Sequence, residues 1–243
     1  MRTYARTDVG RRREHNEDAV LREPFDAIDG YLLAVADGMG GHRAGDVASR
    51  AATVELREVA SQALAEGRTD RRAILADAFE AANREVRRLA DEDQGYSGMG
   101  TTLVAAIVRD GEAVVGNVGD SRAYLVGDGI ERITVDHSLV RELVDDGTIT
   151  EADARSHPHR NVITQSVGTR DGVTPDFFRV PLGTDTLVLC SDGLTEEVDD
   201  DEILAVLTAA PDLETAGDRL IERANENGGS DNVSVVLGSL DDE

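Results

Sequence analysis

The sequence predicts an α+β fold in which packed β-sheets lie inside and helices cover them. Helix patterns come in pairs and strand patterns come in blocks, whereas βαβ units would alternate the two singly. The chain has 243 residues and 40% of them are hydrophobic, which suits one compact domain with a substantial core. We therefore expect residues 1–243 to form a single domain.

The first half of the chain predicts one buried strand and two long helices. Residues 31–36 are a continuous apolar run that ends at Asp37-Gly38, which indicates a strand running into a turn. Small and apolar residues then recur at steps of three and four from Ala48 to Ala63, and again from Ile74 to Leu89. Each of these stretches is typical of a helix with one buried face.

The middle of the chain changes to the spacing of strands. Three short strands are predicted at 102–108, 113–118 and 121–126, separated by Gly and Asp turns. A short helix follows at 139–144. Residues 149–161 are polar and rich in turn formers, and Thr150 and Asp153 have the spacing of a capping box.

The last third predicts strands at both of its ends. Residues 186–190 are a buried strand that ends in Ser191-Asp192-Gly193. Two helices follow, and residues 232–240 are a closing strand. The second of these helices has one apolar face, formed by Leu213, Ala216, Leu220 and Ala224.

The charge of the chain is strongly acidic, with 49 acidic residues, 25 basic residues and a formal charge of −24; all the basic residues are arginine. This surface repels nucleic acid and anionic lipid, which excludes both as partners. The acidic side chains also repel one another at low salt. At about 1 M salt the Debye length falls to about 3 Å, and this repulsion is screened. We hypothesise a halophilic protein of a potassium-rich cytosol; the alternative is an ordinary acidic protein.

The sequence also favours a cytoplasmic location. Its least charged run, Tyr31 to Ala36, is far shorter than the roughly 20 residues of a membrane span. Residues 1–13 contain no apolar signal region. The one cysteine, Cys190, cannot form an internal disulfide, which fits a reducing compartment.

Carboxylates stand at the ends of apolar segments in four places. Several carboxylates brought together raise one another's pKa, and a bound divalent cation removes that conflict. Oxygen ligands favour Mg²⁺ or Mn²⁺ over zinc, and the five histidines show no zinc-binding spacing. Any one of these sites alone could be only a turn, and an acidic chain forms chance clusters. The places are Asn16-Glu17-Asp18, Asp37-Gly38, Ser191-Asp192-Gly193 and Asp231-Asn232, and Gly38, Gly40, Gly41 and Gly45 would allow close backbone approach.

Eight motifs in order resemble the prokaryotic branch of the type 2C (PPM) metal-dependent serine/threonine protein phosphatases, over essentially the whole chain. The motifs are Arg13-Glu14-His15-Asn16-Glu17-Asp18, Asp37-Gly38-Met39-Gly40-Gly41-His42, Gly98-Met99-Gly100-Thr101-Thr102, Asn117-Val118-Gly119-Asp120-Ser121-Arg122-Ala123-Tyr124, Asp136-His137-Ser138, His157-Pro158-His159-Arg160-Asn161, Ser191-Asp192-Gly193-Leu194 and Ser230-Asp231-Asn232.

The resemblance implies an antiparallel β-sandwich with helix pairs on both outer faces, and a centre of two Mn²⁺ or Mg²⁺ ions. Asp37 would bridge the ions, Asp192 and Asp231 would complete the first, and Glu17 with the Gly38 carbonyl would bind the second. The remaining implied roles are a hydrogen bond from metal-bound water to Asp18, phosphate binding by Arg13, a third cation at Asp120 with Asp192, and a mobile flap at 138–161.

Some of these residues have plainer interpretations. Arg13 lies in a basic run that could simply be solvated, and Asp120 could only close a turn. Cys190 is expected to pack in the core, and His42 to be structural. Met39 stands where some family members have a histidine that is the candidate general acid for the leaving group. The general acid is therefore unassigned in this chain, and metal-bound water is our interpretation.

The function that the resemblance implies is dephosphorylation of phosphoserine and phosphothreonine in proteins by metal-activated water. No covalent phosphoenzyme is expected. Two alternatives stay open: a phosphatase of small phosphorylated metabolites, and a catalytically inactive signalling module. A partner Ser/Thr kinase is an expectation from the family alone, and a monomer is the default expectation.

Overall fold

The computed structural model of the chain describes residues 1–25, 30–40 and 44–240. Its strands are β1 (Arg2–Asp8), β2 (Asp18–Phe25), β3 (Gly30–Met39), β4 (Gly100–Thr101), β5 (Leu103–Arg109), β6 (Glu112–Val118), β7 (Arg122–Val126), β8 (Ile130–Arg132), β9 (Asp176–Pro181), β10 (Thr186–Cys190) and β11 (Val233–Ser239). Its helices are α1 (Ala44–Ala65), α2 (Arg71–Glu92), α3 (Leu139–Asp145), α4 (Glu151–Arg155), α5 (Asp192–Thr195), α6 (Asp200–Ala209) and α7 (Leu213–Asn227), with a short 3-10 turn at Gln94–Tyr96.

The strands form two antiparallel sheets. One has the order β1-β11-β10-β7-β8, and the other has the order β2-β3-β5-β6-β9 with β4 paired to β3. Strands β6 and β7 are consecutive in the chain but lie in different sheets, so the turn between them crosses from one sheet to the other. This crossing brings residues from both sheets to one end of the molecule.

Three apolar clusters hold the layers together. Leu33 and Val35 of one sheet pack with Leu187, Leu189 and Val236 of the other in the centre of the sandwich. A second cluster joins α1 and α2 to the outer face of the β3 sheet, and a third joins α5, α6 and α7 to the outer face of the β11 sheet. Burial of these faces is the main driving force for this arrangement. The four-layer α+β fold expected from the sequence is confirmed.

The predicted helices and buried strands are present. The partly exposed strands β1, β2 and β9 were not predicted from the sequence. No residue of β1 is buried, β2 is buried only at its two end residues, and β9 has a single buried residue, Val180. Such strands lack the apolar run that marks β3, β5 and β10. The capping box at Thr150 and Asp153 is present at the start of α4. No helix in the described ranges is long and apolar enough to cross a membrane.

One predicted boundary is wrong. The sequence places a turn at Asp37-Gly38, but β3 continues to Met39 because Gly38 and Met39 pair with Thr101 and Gly100 of β4. Asp37 therefore stands inside a strand, and its side-chain direction is set by the sheet. Gly41 and His42 lie outside the described residues.

Candidate metal centre

Two of the expected residues stand opposite each other on neighbouring strands. Asp18 begins β2 and pairs across the ladder with Asp37 of β3. Opposed residues of an antiparallel pair have Cβ atoms about 4.5–5.5 Å apart, so their carboxylates interact directly. Glu17 precedes Asp18, and its carbonyl accepts a 3.1 Å hydrogen bond from the amide of Gly38. The motif that contains Glu17 and Asp18 therefore lies directly beside the motif that contains Asp37 and Gly38.

The other carboxylates reach this place from the second sheet. Asp192 begins α5 directly after β10, and Asp231 lies just before β11. These two strands are neighbours, with Cys190 opposite Val235. Asp120 lies in the turn that crosses between the sheets. The topology thus gathers acidic residues that are up to 214 positions apart in the sequence.

Burial and mutual repulsion raise the pKa values of these carboxyl groups. Burial is the largest cause for Asp37, whose pKa lies well above its usual value, and the charges of Asp18 and Asp192 add to it. The proximity of Asp192 thus adds to the rise in the pKa of Asp37. Burial raises the pKa of Asp18 to about 7, and it raises the pKa of Asp120. The cluster therefore carries more negative charge than the protein alone can compensate.

Three buried carboxylate oxygens of this cluster have no hydrogen-bond partner among the described residues: Oε1 of Glu17, Oδ1 of Asp18 and Oδ1 of Asp192. A buried carboxylate without a partner is costly. Divalent cations that prefer oxygen ligands, such as Mg²⁺ and Mn²⁺, would supply the missing compensation. In the described ranges no three His, Cys, Asp or Glu side chains already form a ligand set around one point. The donor chemistry fits the cations, and the assignment of each ligand is a proposal.

Two glycines allow helix α1 to begin against the acidic cluster. A Cβ on Gly38 would lie 2.0 Å from the carbonyl oxygen of Gly45. A Cβ on Gly45 would lie 2.7 Å from the carbonyl oxygen of Gly38 and 2.8 Å from the carboxyl carbon of Glu17. The Glu17 carboxyl carbon and the Gly38 carbonyl oxygen therefore lie at most about 5.5 Å apart. This spacing suits the expectation that both bind one cation.

The side chain of Asn232 holds the loop that carries Arg13 and Glu17 in place through three hydrogen bonds. Its amide nitrogen donates to the carbonyls of Val9 and His15, both at 2.9 Å, and its oxygen accepts from the amide of Glu17 at 2.8 Å. The side chain is buried, so these three bonds replace its hydrogen bonds to water. Sequence reasoning included Asn232 in a motif but gave it no role.

Arg13 lies at the rim of the cluster with its side chain about half exposed. Its guanidinium donates to Asp231 Oδ2 at 2.5 Å. Asp231, Asp37 and Glu17 all raise the pKa of Arg13, although its partial burial acts in the opposite direction. A solvated basic run would not place Arg13 among these carboxylates, so its position suits an anion-binding role.

Asp120 is buried near Arg122, which forms an ion pair with Asp136. Arg122 binds both oxygens of Asp136 through Nε and donates through Nη2 at 2.8 Å. The charges of Asp192 and Asp136 raise the pKa of Asp120 in addition to its burial. Asp120 is thus close enough to Asp192 to interact with it, as a shared cation would require.

Other residues near the cluster were missed or have only a structural role. Glu196 follows Asp192 by four positions, and partial burial with the charge of Asp192 raises its pKa. In a helix, residues four positions apart lie on the same face, so this spacing could have indicated that Glu196 lies near Asp192. Cys190 is buried in the core, as predicted, and burial raises its pKa to about 12, which makes it a poor nucleophile.

Comparisons with known proteins give one consistent result. The family described as "Protein phosphatase 2C" matches residues 9–238. The "Serine/threonine phosphatase stp" of Listeria monocytogenes is 42% identical over 99% of this chain and 96% of that protein. The "Protein phosphatase PhpP" of Streptococcus pneumoniae is 38% identical over 98% and 96%. The crystal structure of Stp1 from Staphylococcus aureus is 40% identical, with a TM-score of 0.92 over 99% of this chain and 95% of that one.

Proposed function

The chain belongs to the protein phosphatase 2C family, and on that premise we propose that it hydrolyses phosphoserine and phosphothreonine in proteins at a centre of divalent cations. One observation supports this site above all others. Carboxylates from both sheets meet with raised pKa values, and three of their buried oxygens lack a partner in the described part of the chain. The geometry of this end of the sandwich therefore supports the proposed position of the site.

The proposed ligands follow the arrangement of the cluster. Asp37 would be shared by two cations, Asp192 and Asp231 would complete the first site, and Glu17 with the Gly38 carbonyl would form the second. Asp120 together with Asp192 would hold a third. When bound, Mn²⁺ or Mg²⁺ would lower the pKa of a water molecule and offset charge on the phosphoryl group.

Arg13 is the proposed phosphate-binding residue. Its planar guanidinium can donate two parallel hydrogen bonds to a phosphoryl group. Because Asp231 now accepts one of those donors, a phosphate that approaches this rim would meet an arginine already held near the acidic cluster. Arg13 would thus orient the phosphoryl group and stabilise its developing charge.

Proton transfer to the leaving oxygen has no assigned side chain in this proposal. Met39 cannot donate a proton, and water at the metal centre is the proposed source. Asp18 would accept a hydrogen bond from water in the centre, since its Oδ1 has no partner among the described residues.

Finer features of the function also belong to the proposal. We propose phosphoproteins as substrates, a Ser/Thr kinase that opposes the enzyme, a monomer as the working form, and a cytoplasmic location. The flap would be residues 138–161, which contain α3 and α4. Adaptation to high salt is a separate hypothesis that rests on the charge of −24.

Hydrolysis assays with Mn²⁺ test the function. We expect release of phosphate from phosphoserine and phosphothreonine peptides and from p-nitrophenyl phosphate, and loss of at least about 100-fold in kcat in Asp37→Asn. Asp128→Asn is the matched control, because Asp128 lies exposed in the turn between β7 and β8. Faster turnover of small phosphorylated metabolites than of peptides would favour the metabolite alternative. An inactive wild-type protein that still binds Mn²⁺ would favour the signalling module.

A further inference from the structure

The buried carboxylate of Asp18 is held by hydroxyl groups that have no role in the proposed mechanism. Its Oδ2 accepts a hydrogen bond from Ser191 Oγ at 2.8 Å and another from Ser234 Oγ at 2.6 Å. Both serines are fully buried. The second oxygen, Oδ1, is buried and has no partner in the described part of the chain. One oxygen of Asp18 is therefore doubly bound while the other is free.

The hydrogen bonds continue from Ser234 towards the surface. Ser234 Oγ lies 2.7 Å from Thr7 Oγ1, which accepts from the side-chain amide of Asn16 at 2.8 Å. Ser234 Oγ donates to Thr7 Oγ1 as well as to Asp18 Oδ2, so its single proton is shared between these two acceptors. Thr7 Oγ1 accepts from both Ser234 and Asn16, and it therefore helps to set the direction of the Ser234 hydroxyl.

The hydroxyl of Ser191 is oriented by a hydrogen bond from the backbone of Ser234. Its Oγ accepts a 3.0 Å hydrogen bond from the amide of Ser234, so its own proton is available for Asp18. The backbone amide of Ser191 in turn donates to the carbonyl of Ser234 at 3.1 Å. These reciprocal bonds fix the direction of the Ser191 hydroxyl and join Ser191 to the backbone of Ser234.

The sheet sets the positions of these groups. Thr7 of β1 pairs directly with Ser234 of β11, and Ser191 follows the neighbouring strand β10. Thr7 and Ser234 thus stand on two adjacent strands of one sheet and Ser191 directly follows the third, whereas Asp18 belongs to the other sheet. The hydroxyl chain is consequently a rigid link between the two sheets directly beneath the acidic cluster, and hydrogen bonds in such a chain strengthen one another.

We propose that Thr7, Ser191 and Ser234 are positioning residues that hold one oxygen of Asp18 and present the other to the cation centre. This inference rests on the proposed function. Partners that orient the surroundings of a metal commonly change affinity or activity by 10–100-fold when they are removed. Thr7 is the informative member, because it is not a proposed ligand and its hydroxyl reaches Asp18 only indirectly, through the side chains of Ser234 and Asn16.

The test compares Mn²⁺ affinity, measured by calorimetry, with phosphopeptide kinetics in matched variants. Thr7→Val keeps the branched shape at an exposed strand position but removes the hydroxyl, and Thr7→Ser keeps the hydroxyl. We expect Thr7→Val and Ser234→Ala to weaken Mn²⁺ binding about 10-fold and to lower kcat, with KM for the peptide within about two-fold. Thr7→Ser should recover most of both losses.

Ser239→Ala is the control for removal of a buried serine hydroxyl from β11. Ser239 is buried and lies five positions from Ser234, about 16 Å along the strand. It should leave Mn²⁺ binding and kcat unchanged. If Ser234→Ala does not fold, the comparison of Thr7→Val with Thr7→Ser still decides the question.

Two outcomes would overturn the inference: unchanged Mn²⁺ affinity and kcat in a folded Thr7→Val, or equal losses in Thr7→Val and Thr7→Ser. Both presuppose a wild-type protein that hydrolyses phosphopeptides. A wild-type protein that binds Mn²⁺ but hydrolyses none of them would overturn the proposed function instead, so the two failures are distinguishable.

Discussion

Asn232 is the residue whose loss should disturb the acidic cluster most without removing a proposed ligand. In Asn232→Asp the two carbonyls of Val9 and His15 lose their donor, and a further negative charge joins Asp231. We expect unfolding free energy to fall by roughly 1–3 kcal/mol, since buried acceptors are left without partners. Urea denaturation with and without Mn²⁺ measures this change.

Asn227→Asp is the matched control for Asn232→Asp. The amide of Asn227 also donates to a backbone carbonyl, that of Glu197, but at an exposed position. Its substitution should change stability by less than about 0.5 kcal/mol. Equal effects of the two substitutions would mean that Asn232 has no special part in holding the loop.

Tyr4 should control part of the stability at alkaline pH. Burial and a 2.6 Å hydrogen bond to Asp218 raise its pKa to about 12. The unfolded chain ionises this phenol near pH 10, so stability is fully present below pH 10 and is lost as pH rises from about 10 to about 12. The chain contains no lysine, so the other side chains that contribute in this range are tyrosines, above all Tyr124, whose pKa burial also raises.

Tyr4→Phe should therefore flatten the decline of unfolding free energy between pH 10 and pH 12. Urea denaturation at half-unit pH steps measures the slope, and Asp218→Asn should reduce it as well, because Asp218 is the hydrogen-bond partner. The same slope in the wild-type protein and in Tyr4→Phe would contradict this account.

At the scale of elements, the start of α1 and strand β3 are in close backbone contact near the site. Gly45→Ala would place a methyl group 2.7 Å from the Gly38 carbonyl and 2.8 Å from the Glu17 carboxyl carbon. Because backbone cannot move aside cheaply, we expect a loss of about 1–3 kcal/mol in unfolding free energy. Mn²⁺ affinity should also fall, since both displaced groups are proposed ligands.

Gly129→Ala is the control for Gly45→Ala. No atom lies within 4 Å of a Cβ at Gly129, so the methyl group is tolerated there. Differential scanning fluorimetry and Mn²⁺ titration of both variants give the comparison. A Gly45→Ala protein as stable as Gly129→Ala, with unchanged Mn²⁺ affinity, would show that α1 can shift without effect on the site.

The elements also show where sequence patterns succeed. The strand at 31–36 was predictable because it is a continuous apolar run, and helices α1 and α2 were predictable because each buries one face with a clear period. Strand β1 was not predictable, because its residues are only partly buried and Tyr4 and Arg6 pair with a helix through polar groups. Pairing with β11 stabilises β1, and that partner lies more than 200 residues away.

For the whole molecule, the charge of −24 predicts that stability depends on salt. Self-repulsion weakens as ions screen it, and the Debye length falls from about 10 Å at 0.1 M to about 3 Å at 1 M. We expect a higher melting temperature in 3 M than in 0.1 M KCl, with most of the rise below about 1 M. Identical melting curves at the two concentrations would contradict the halophile hypothesis.

The KCl concentrations at which the melting temperature rises distinguish two effects of salt. Screening is nearly complete at 1 M, whereas a general strengthening of apolar burial would continue to grow at higher concentration. A rise confined to concentrations above 1 M would therefore not support adaptation of the surface charge.

The order of the motifs in the sequence determined the family, and apolar periodicity determined the fold class and most of the core. The sequence also named the acidic residues that meet, because each stands beside an apolar segment. Only the tertiary structure decided that Asp37 lies within a strand opposite Asp18, that Asn232 fastens the loop of Glu17, and that a hydroxyl chain supports Asp18. These features depend on strands that pair across long sequence separations, and side-chain contacts between such strands leave no local pattern.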